Sequence, residues 1–196
     1  MSWSWNNKKG AAPQAAAPAP VSSATPCALL KPFMQRVRRV TTCSHVLLVG
    51  ELCGANISFL GERGFRVSVQ KDLSSTGALL LDEFAGVLLW DSLSYIDPRE
   101  ARDWIRSLAA TVATGGAVLA FFKGPSVTGV FPKSRYRILS EDRIRAEPSG
   151  DRLMRPQPYQ NRDILRLFEG FELDQLHTHK DGQRESLFYR KSSGPA

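Results

Sequence analysis

The sequence predicts an α/β fold: a mostly parallel sheet under layers of helix, closed by an antiparallel hairpin at its C-terminal end. Continuous apolar runs of strand length, HVLLV at 45–49, GVLLW at 86–90 and AVLAFF at 117–122, alternate with helical stripes. Unbroken runs of this kind suit parallel strands buried on both faces. The first run passes at once into Gly50, Cys53 and Gly54, where a strand turns sharply into a helix. Near the end, two alternating segments flank Asp181-Gly182, a hairpin turn. The 196 residues suffice for one domain with a sizeable core, and the 42% hydrophobic content is ordinary for a globular chain.

In chain order, residues 1–26 are rich in Ala, Pro, Ser and Asn and bury too little to offset ordering, which predicts a disordered arm with Trp3 and Trp5 as its odd members. A single domain is expected over 27–191 and a flexible tail over 192–196. From Cys27 to Val40 the apolar residues Leu29, Leu30, Phe33, Met34, Val37 and Val40 form a helical stripe. After the strand at 45–49, Asn56 is the expected N-cap of a helix over 57–63, which Gly64 ends. Arg66 to Gln70 alternates as a second strand. A strand–Gly turn–helix–strand unit lets a helix N-terminus and bare amides meet a nucleotide-like ligand. Only 73–85 separates it from the next strand. A full crossover needs a dozen or more residues, usually with a helix, so one βα unit is expected to be shortened or lost.

At the mouth of the strand at 86–90 stands Asp91, followed by Ser92, Ser94 and Tyr95; ligands of open α/β sheets sit outside the carboxyl ends of strands. A helix or turn cap is the other reading of Asp91. Asp97-Pro98-Arg99-Glu100 starts a helix, with Asp as N-cap and Pro at the first position. Ala101, Trp104, Ile105, Leu108 and Val112 give it an apolar face, and Gly115-Gly116 stops it before the strand at 117–122. In the irregular 123–160 region, RYRIL and RIRAE are fit to pair as a hairpin across 140–142. Asn161 caps DILRLFE, which Gly170 closes, and strands over 171–177 and 185–190 complete the chain.

Charge and cysteines exclude several classes. The net charge is +7, but six of the 26 basic residues lie in residues 1–44, which hold no acid, leaving 20 basic against 19 acidic groups in the body. A basic nucleic-acid surface is therefore not expected on the folded body, although the basic arm is fit to act as a tether. No apolar run approaches the ~18 residues of a membrane span, and the proline-broken Ala-rich start lacks a secretory apolar core. Cys27, Cys43 and Cys53 show no CxxC spacing, so reduced thiols and a cytoplasmic protein are expected, with neither a zinc site nor a disulfide framework. Cys53 has no His partner nearby in sequence to make it a nucleophile. His177 and His179 share a strand face but lack a third ligand, so no metal is expected.

The residues of 45–72 and 86–122 resemble the class I S-adenosylmethionine-dependent methyltransferases. Gly50 and Gly54 match the first and third glycines of that family's Gly-x-Gly-x-Gly turn, with Leu52 in place of the middle glycine and Leu48 in place of an acid. Lys71 ends the second strand, and Asp72 follows one residue late where the family has an acid. GVLLW-DSLSYI resembles the fourth motif. The passage through Gly115-Gly116 is similar to a Leu-x-Pro-Gly-Gly segment, with Ala113-Thr114 for the usual Arg/Lys-Pro. The resemblance covers about 27–191 and implies a three-layer Rossmann-like methyltransferase sheet with one βα unit shortened. It also implies S-adenosylmethionine as cofactor. Gly50, Glu51, Cys53 and Gly54 would form the turn around the donor, Asp72 would meet its ribose hydroxyls, and Asp91 with Ser92 would flank its methionine end or the acceptor. The insert at 123–160 often covers the active site in that family. The implied activity is methyl transfer to an unidentified acceptor. This in-line displacement mostly needs positioning and no dedicated nucleophile. The alternative is a non-catalytic scaffold or binding module, which Leu48, Leu52, Lys71 and the short 73–85 link favour. A Rossmann dehydrogenase fits less well, because the antiparallel C-terminal hairpin does not belong to its frame.

Overall fold

The computed structural model describes residues 24–41, 43–71, 73, 82–124 and 129–191. Residues 1–23 of the arm expected over 1–26, with Trp3 and Trp5, the tail at 192–196 and the site residue Asp72 lie outside them. The described elements are strand β1 (Thr25–Pro26), helix α1 (Leu30–Val37), β2 (His45–Val49), α2 (Gly54–Gly61), β3 (Arg66–Gln70), β4 (Phe84–Leu89), a 3-10 helix (Asp91–Tyr95), α3 (Pro98–Thr111), β5 (Val112–Phe122), β6 (Phe131–Ser140), β7 (Arg143–Met154), α4 (Asn161–Leu167), β8 (Glu172–Thr178) and β9 (Arg184–Tyr189).

A six-stranded sheet runs in the order β3-β2-β4-β5-β9-β8. β2 pairs in parallel with β3 and β4, and β4 with β5, while β9 lies antiparallel to both β5 and β8. All five residues of β2 and all six of β4 are buried, because helices cover both faces. On one face Leu47, Val49, Val87, Leu89, Val118 and Phe122 pack against Trp104, Ile105 and Leu108 of α3 and Ile164 and Leu167 of α4. On the other, Val46, Leu48, Leu88, Leu119 and Phe121 meet Phe33, Met34 and Val37 of α1, Leu60 of α2, and Tyr136, Ile138 and Ile144. Among the described residues no element separates β3 from β4, and β3 is the edge of the sheet.

Five expectations need correction. The mostly parallel sheet is joined by a second, three-stranded antiparallel sheet, β1-β7-β6, so the fold is more mixed than expected. The hairpin across Glu141-Asp142 does form, over 131–154. Its neighbour β1 pairs Thr25 with Ile144, so order begins before residue 27. The helix expected from Cys27 starts only at Leu30, because the amides of Ala28 and Leu29 donate to the buried Glu185 carboxylate at 3.1 and 2.7 Å instead of entering the helix. Gly115-Gly116 do not stop α3. The helix ends at Thr111, β5 begins at Val112, and the glycines lie in a bulge where the pairing to β4 slips between Phe84–Val112 and Gly86–Ala117.

The fifth concerns Asn56. It does not cap α2, which begins at Gly54 with Cys53 at the cap position. The Asn56 side chain is buried; it donates to the Tyr136 carbonyl at 2.8 Å and accepts from the Ile138 amide at 2.7 Å. A carboxamide offers one donor and one acceptor side by side, the pattern a strand edge presents. Asn56 thus clips β6 onto α2. Among the described residues no helix is long and apolar enough to cross a membrane.

Candidate functional site

Two loops meet at the carboxyl edge of the sheet. After β2 the chain turns at Gly50, whose amide donates to the Gln70 carbonyl at 2.9 Å; after β4 the Trp90 amide donates to the Val49 carbonyl at 3.3 Å. These bonds carry the parallel ladder one step past the strands and bring the two loops together. Gly50 has φ +131°, a region that side-chain-bearing residues rarely enter. A Cβ there would lie 3.0 Å from Ser92 Oγ and 3.3 Å from Trp90 Cδ1. Glycine is favoured at this position by its conformation, and a Cβ would also press on Ser92 and Trp90. At Gly54 the reverse holds: its φ is not positive, and nothing lies within 4 Å of a Cβ.

Asp91 is 3% exposed. Its Oδ2 accepts from the Tyr136 hydroxyl at 3.1 Å and pairs with Lys123 Nζ at 3.3 Å. Burial raises the Asp91 carboxyl above its ordinary range, with Lys123 and Tyr136 pulling the other way. The Tyr136 phenol is pushed up by burial first and by the Asp91 charge second, so it remains a donor. The Tyr136 ring stacks on Trp90 at 5.0 Å and 9°, and packs at 5.7 Å from Phe121. Gln183 Nε2 donates to the Tyr136 oxygen at 3.1 Å. One tyrosine of the hairpin is thereby held from three sides over the mouth of β4.

The expected site residues divide accordingly. Gly50, Glu51, Cys53 and Gly54 line the turn, and Asp91 and Ser92 stand across from them. Beside Gly54 a Cβ would meet nothing within 4 Å. The crevice that Gly50, Glu51, Leu52 and Cys53 of the turn line together with Val49, Val69 and Trp90 is, in this arrangement, too narrow to admit a water molecule, whereas small-molecule clefts run to about 300–1,000 Å³. Sequence reasoning missed Tyr136, Lys123 and Trp90 as site residues. The available signal was the alternation of RYRIL: Tyr136 and Ile138 share the inward face, and an inward tyrosine needs a hydrogen-bond partner. Elsewhere, the His177 and His179 rings do meet, at 4.8 Å, but His179 Nε2 is engaged with Glu185 Oε1 at 2.6 Å, and no cluster of three ligating side chains occurs among the described residues.

No protein-family profile matches the chain, and neither does any curated relative. Solved structures do. A sugar N-methyltransferase from a Streptoalloteichus species is similar over 85% of this chain and 88% of its own, at 16% identity and a TM-score of 0.55. An S-adenosylmethionine-dependent methyltransferase from Clostridium acetobutylicum is similar over 83% and 92%, at 10% identity and a TM-score of 0.51. An amino pentose methyltransferase from Micromonospora echinaspora, solved with S-adenosylmethionine bound, is similar over 83% and 90%, at 13% and 0.50. At these identities the likeness is one of fold. The chain carries the fold of the class I S-adenosylmethionine-dependent methyltransferases.

Proposed function

We propose that this protein is an S-adenosylmethionine-dependent methyltransferase acting on an acceptor yet to be identified. The observation that carries the reading is the meeting of the bare Gly50–Gly54 turn with the buried Asp91–Lys123–Tyr136 cluster at the carboxyl edge, within a fold that solved methyltransferases share. When bound, the donor supplies an electrophilic methyl group on a sulfonium sulfur. The backbone at Gly50 and Gly54 would hold it, with Ser92 and Asp91 at its reacting end. Asp91 orients its two partners, while the Lys123 side chain, 21% exposed, is the member of the cluster that reaches solvent. The narrow crevice places one demand on this reading: Trp90 must give way for a donor to enter, and Tyr136 is the group stacked on Trp90. A cytoplasmic location, with Cys27, Cys43 and Cys53 as free thiols, belongs to the same proposal.

Titration calorimetry of the full chain with S-adenosylmethionine and S-adenosylhomocysteine tests it. Saturable binding of both is expected. Gly54→Val should abolish it, because a branched side chain would fill the open approach, and Asp91→Ala should weaken it more modestly. A flat trace from folded, unmutated protein overturns the proposal and leaves a scaffold role for the fold.

A further inference from the structure

A second cavity lies away from the Gly50 turn, between α3, α4 and the segment that leads into α4. It measures about 340 Å³, and Pro98, Arg102, Pro158, Tyr159, Arg166 and Leu167 line it together with Gln157 and the carboxylate-bearing Asp163. That is the size of a small-ligand cleft. Prolines, a leucine and a tyrosine make much of its wall apolar, and two arginines and one aspartate line it as well.

The charges on this cleft are unequally engaged. Asp163 belongs to the start of α4: its Oδ2 accepts from the Gln160 amide at 2.9 Å, and its Oδ1 lies 3.8 Å from Arg162 Nε. That carboxylate serves the capping box. Arg102 and Arg166, both exposed, make no hydrogen bond or ion pair among the described residues. The Tyr159 hydroxyl is buried without a hydrogen-bond partner; burial first, then the Asp97 and Asp163 charges, push its phenol up, and Arg102 pulls the other way. A buried polar group without a partner is uncommon enough to need a reason.

The walls are fixed by the sheet. The Gln157 amide donates to the Ser94 carbonyl at 2.6 Å, the Tyr159 ring meets Phe122 edge-on at 5.5 Å, and the Arg184 guanidinium donates to the Tyr159 and Lys123 carbonyls. The cleft is therefore attached to the ends of β4 and β5 and stands preformed.

We propose that this cleft binds a small organic anion, an apolar body carrying a carboxylate or a phosphate monoester, held by the Arg102 and Arg166 guanidinium groups. Guanidinium is planar, always charged and presents paired donors that match both kinds of anion. The apolar walls take the body of the ligand, and the two cations choose its charge. The proposal goes beyond the methyltransferase reading and does not depend on it.

The test is calorimetry of the full chain without any donor, using phenyl phosphate, benzoate and the uncharged benzyl alcohol. Saturable binding of at least one anion is expected, with benzyl alcohol at least about tenfold weaker, since a charge-assisted pair is worth that much. Preference for phenyl phosphate assigns the site to phosphate monoesters; preference for benzoate assigns it to carboxylates. Arg102→Gln combined with Arg166→Gln should lower the anion's affinity at least about tenfold and leave the melting temperature unchanged, because neither side chain has a partner to lose. Absence of saturable binding by both anions, equal binding of benzyl alcohol, or undiminished binding in the double variant would each overturn the proposal. Because no donor is present, failure of the methyltransferase reading leaves this result standing.

Discussion

The turn after β2 and the mouth of β4 lie against each other at one edge of the sheet, yet they are built on opposite principles. The turn is backbone: Gly50 and Gly54 carry no side chain, and Leu52 between them is 54% exposed. The mouth is side chain: Trp90, Asp91 and Tyr136 are all nearly or wholly buried and joined by stacking and a hydrogen bond, and Asp91 is ion-paired to Lys123. Both regions hold residues that resemble family motifs, but only the mouth is built from buried side chains that contact one another. A substitution in one region should therefore report on binding and in the other on stability. Each variant below tests whether that division holds.

The largest effect belongs to Tyr136. Tyr136→Ala removes a fully buried ring that stacks on Trp90 and strips Asp91 of a donor, so unfolding free energy should fall by about 3–5 kcal/mol. Tyr136→Phe keeps the ring and loses only the hydroxyl, for about 1–3 kcal/mol. Denaturant melts of the two variants separate packing from hydrogen bonding. Equal losses would show that the stack contributes nothing and would collapse the contrast with the turn.

Gly50 comes next, as the one place where the turn touches the mouth. Gly50→Ala combines a φ of +131° with a Cβ pressed on Ser92 and Trp90, and should cost about 1–3 kcal/mol in the same melts. A neutral result would mean that the two loops are not in firm contact.

The third prediction concerns pH. Burial raises the Asp91 carboxyl above its unfolded value of 3.8, so the native state holds that proton more tightly than the unfolded chain. The stability this group contributes is present below the unfolded value and is lost as pH rises through the folded one. Asp91→Asn has no such proton to release. Across melts from pH 4 upward, the stability of the variant relative to the unmutated protein should therefore improve as pH rises. A constant difference over that range would show that Lys123 fully offsets the burial of the carboxylate.

Most of the sheet was legible because its cause is local. HVLLV, GVLLW and AVLAFF are apolar on both faces, and such runs have few places to go other than the centre of a parallel sheet. Asp97-Pro98 marked the start of α3 because the Asp97 side chain caps the Arg99 amide, at 2.8 Å. What could not be read depends on partners far along the chain. Asn56 looks like a cap until β6, some eighty residues later, presents an amide and a carbonyl to it. Glu185 looks like a strand residue until the amides of Ala28 and Leu29 converge on it. Tyr136 was one residue of an irregular stretch until the hairpin turned it onto Asp91. The motif glycines were found by spacing, but spacing did not distinguish Gly50, which the fold favours, from Gly54, which it does not.

That last distinction gives the smallest and sharpest test. Gly54 opens α2 with no positive φ and with empty space where a Cβ would go. Replacing glycine by alanine in a helix gains up to about 0.5–1 kcal/mol in propensity, and less at the first turn, so Gly54→Ala should leave the protein as stable as before or slightly more so. The same methyl group stands where a bound donor would meet the backbone, so donor affinity should fall in the variant that melts no earlier. A loss of affinity without a loss of stability would assign Gly54 to ligand approach. A loss of stability would instead make it a structural glycine like Gly50, and would remove the difference between the two positions on which the binding role of the turn rests.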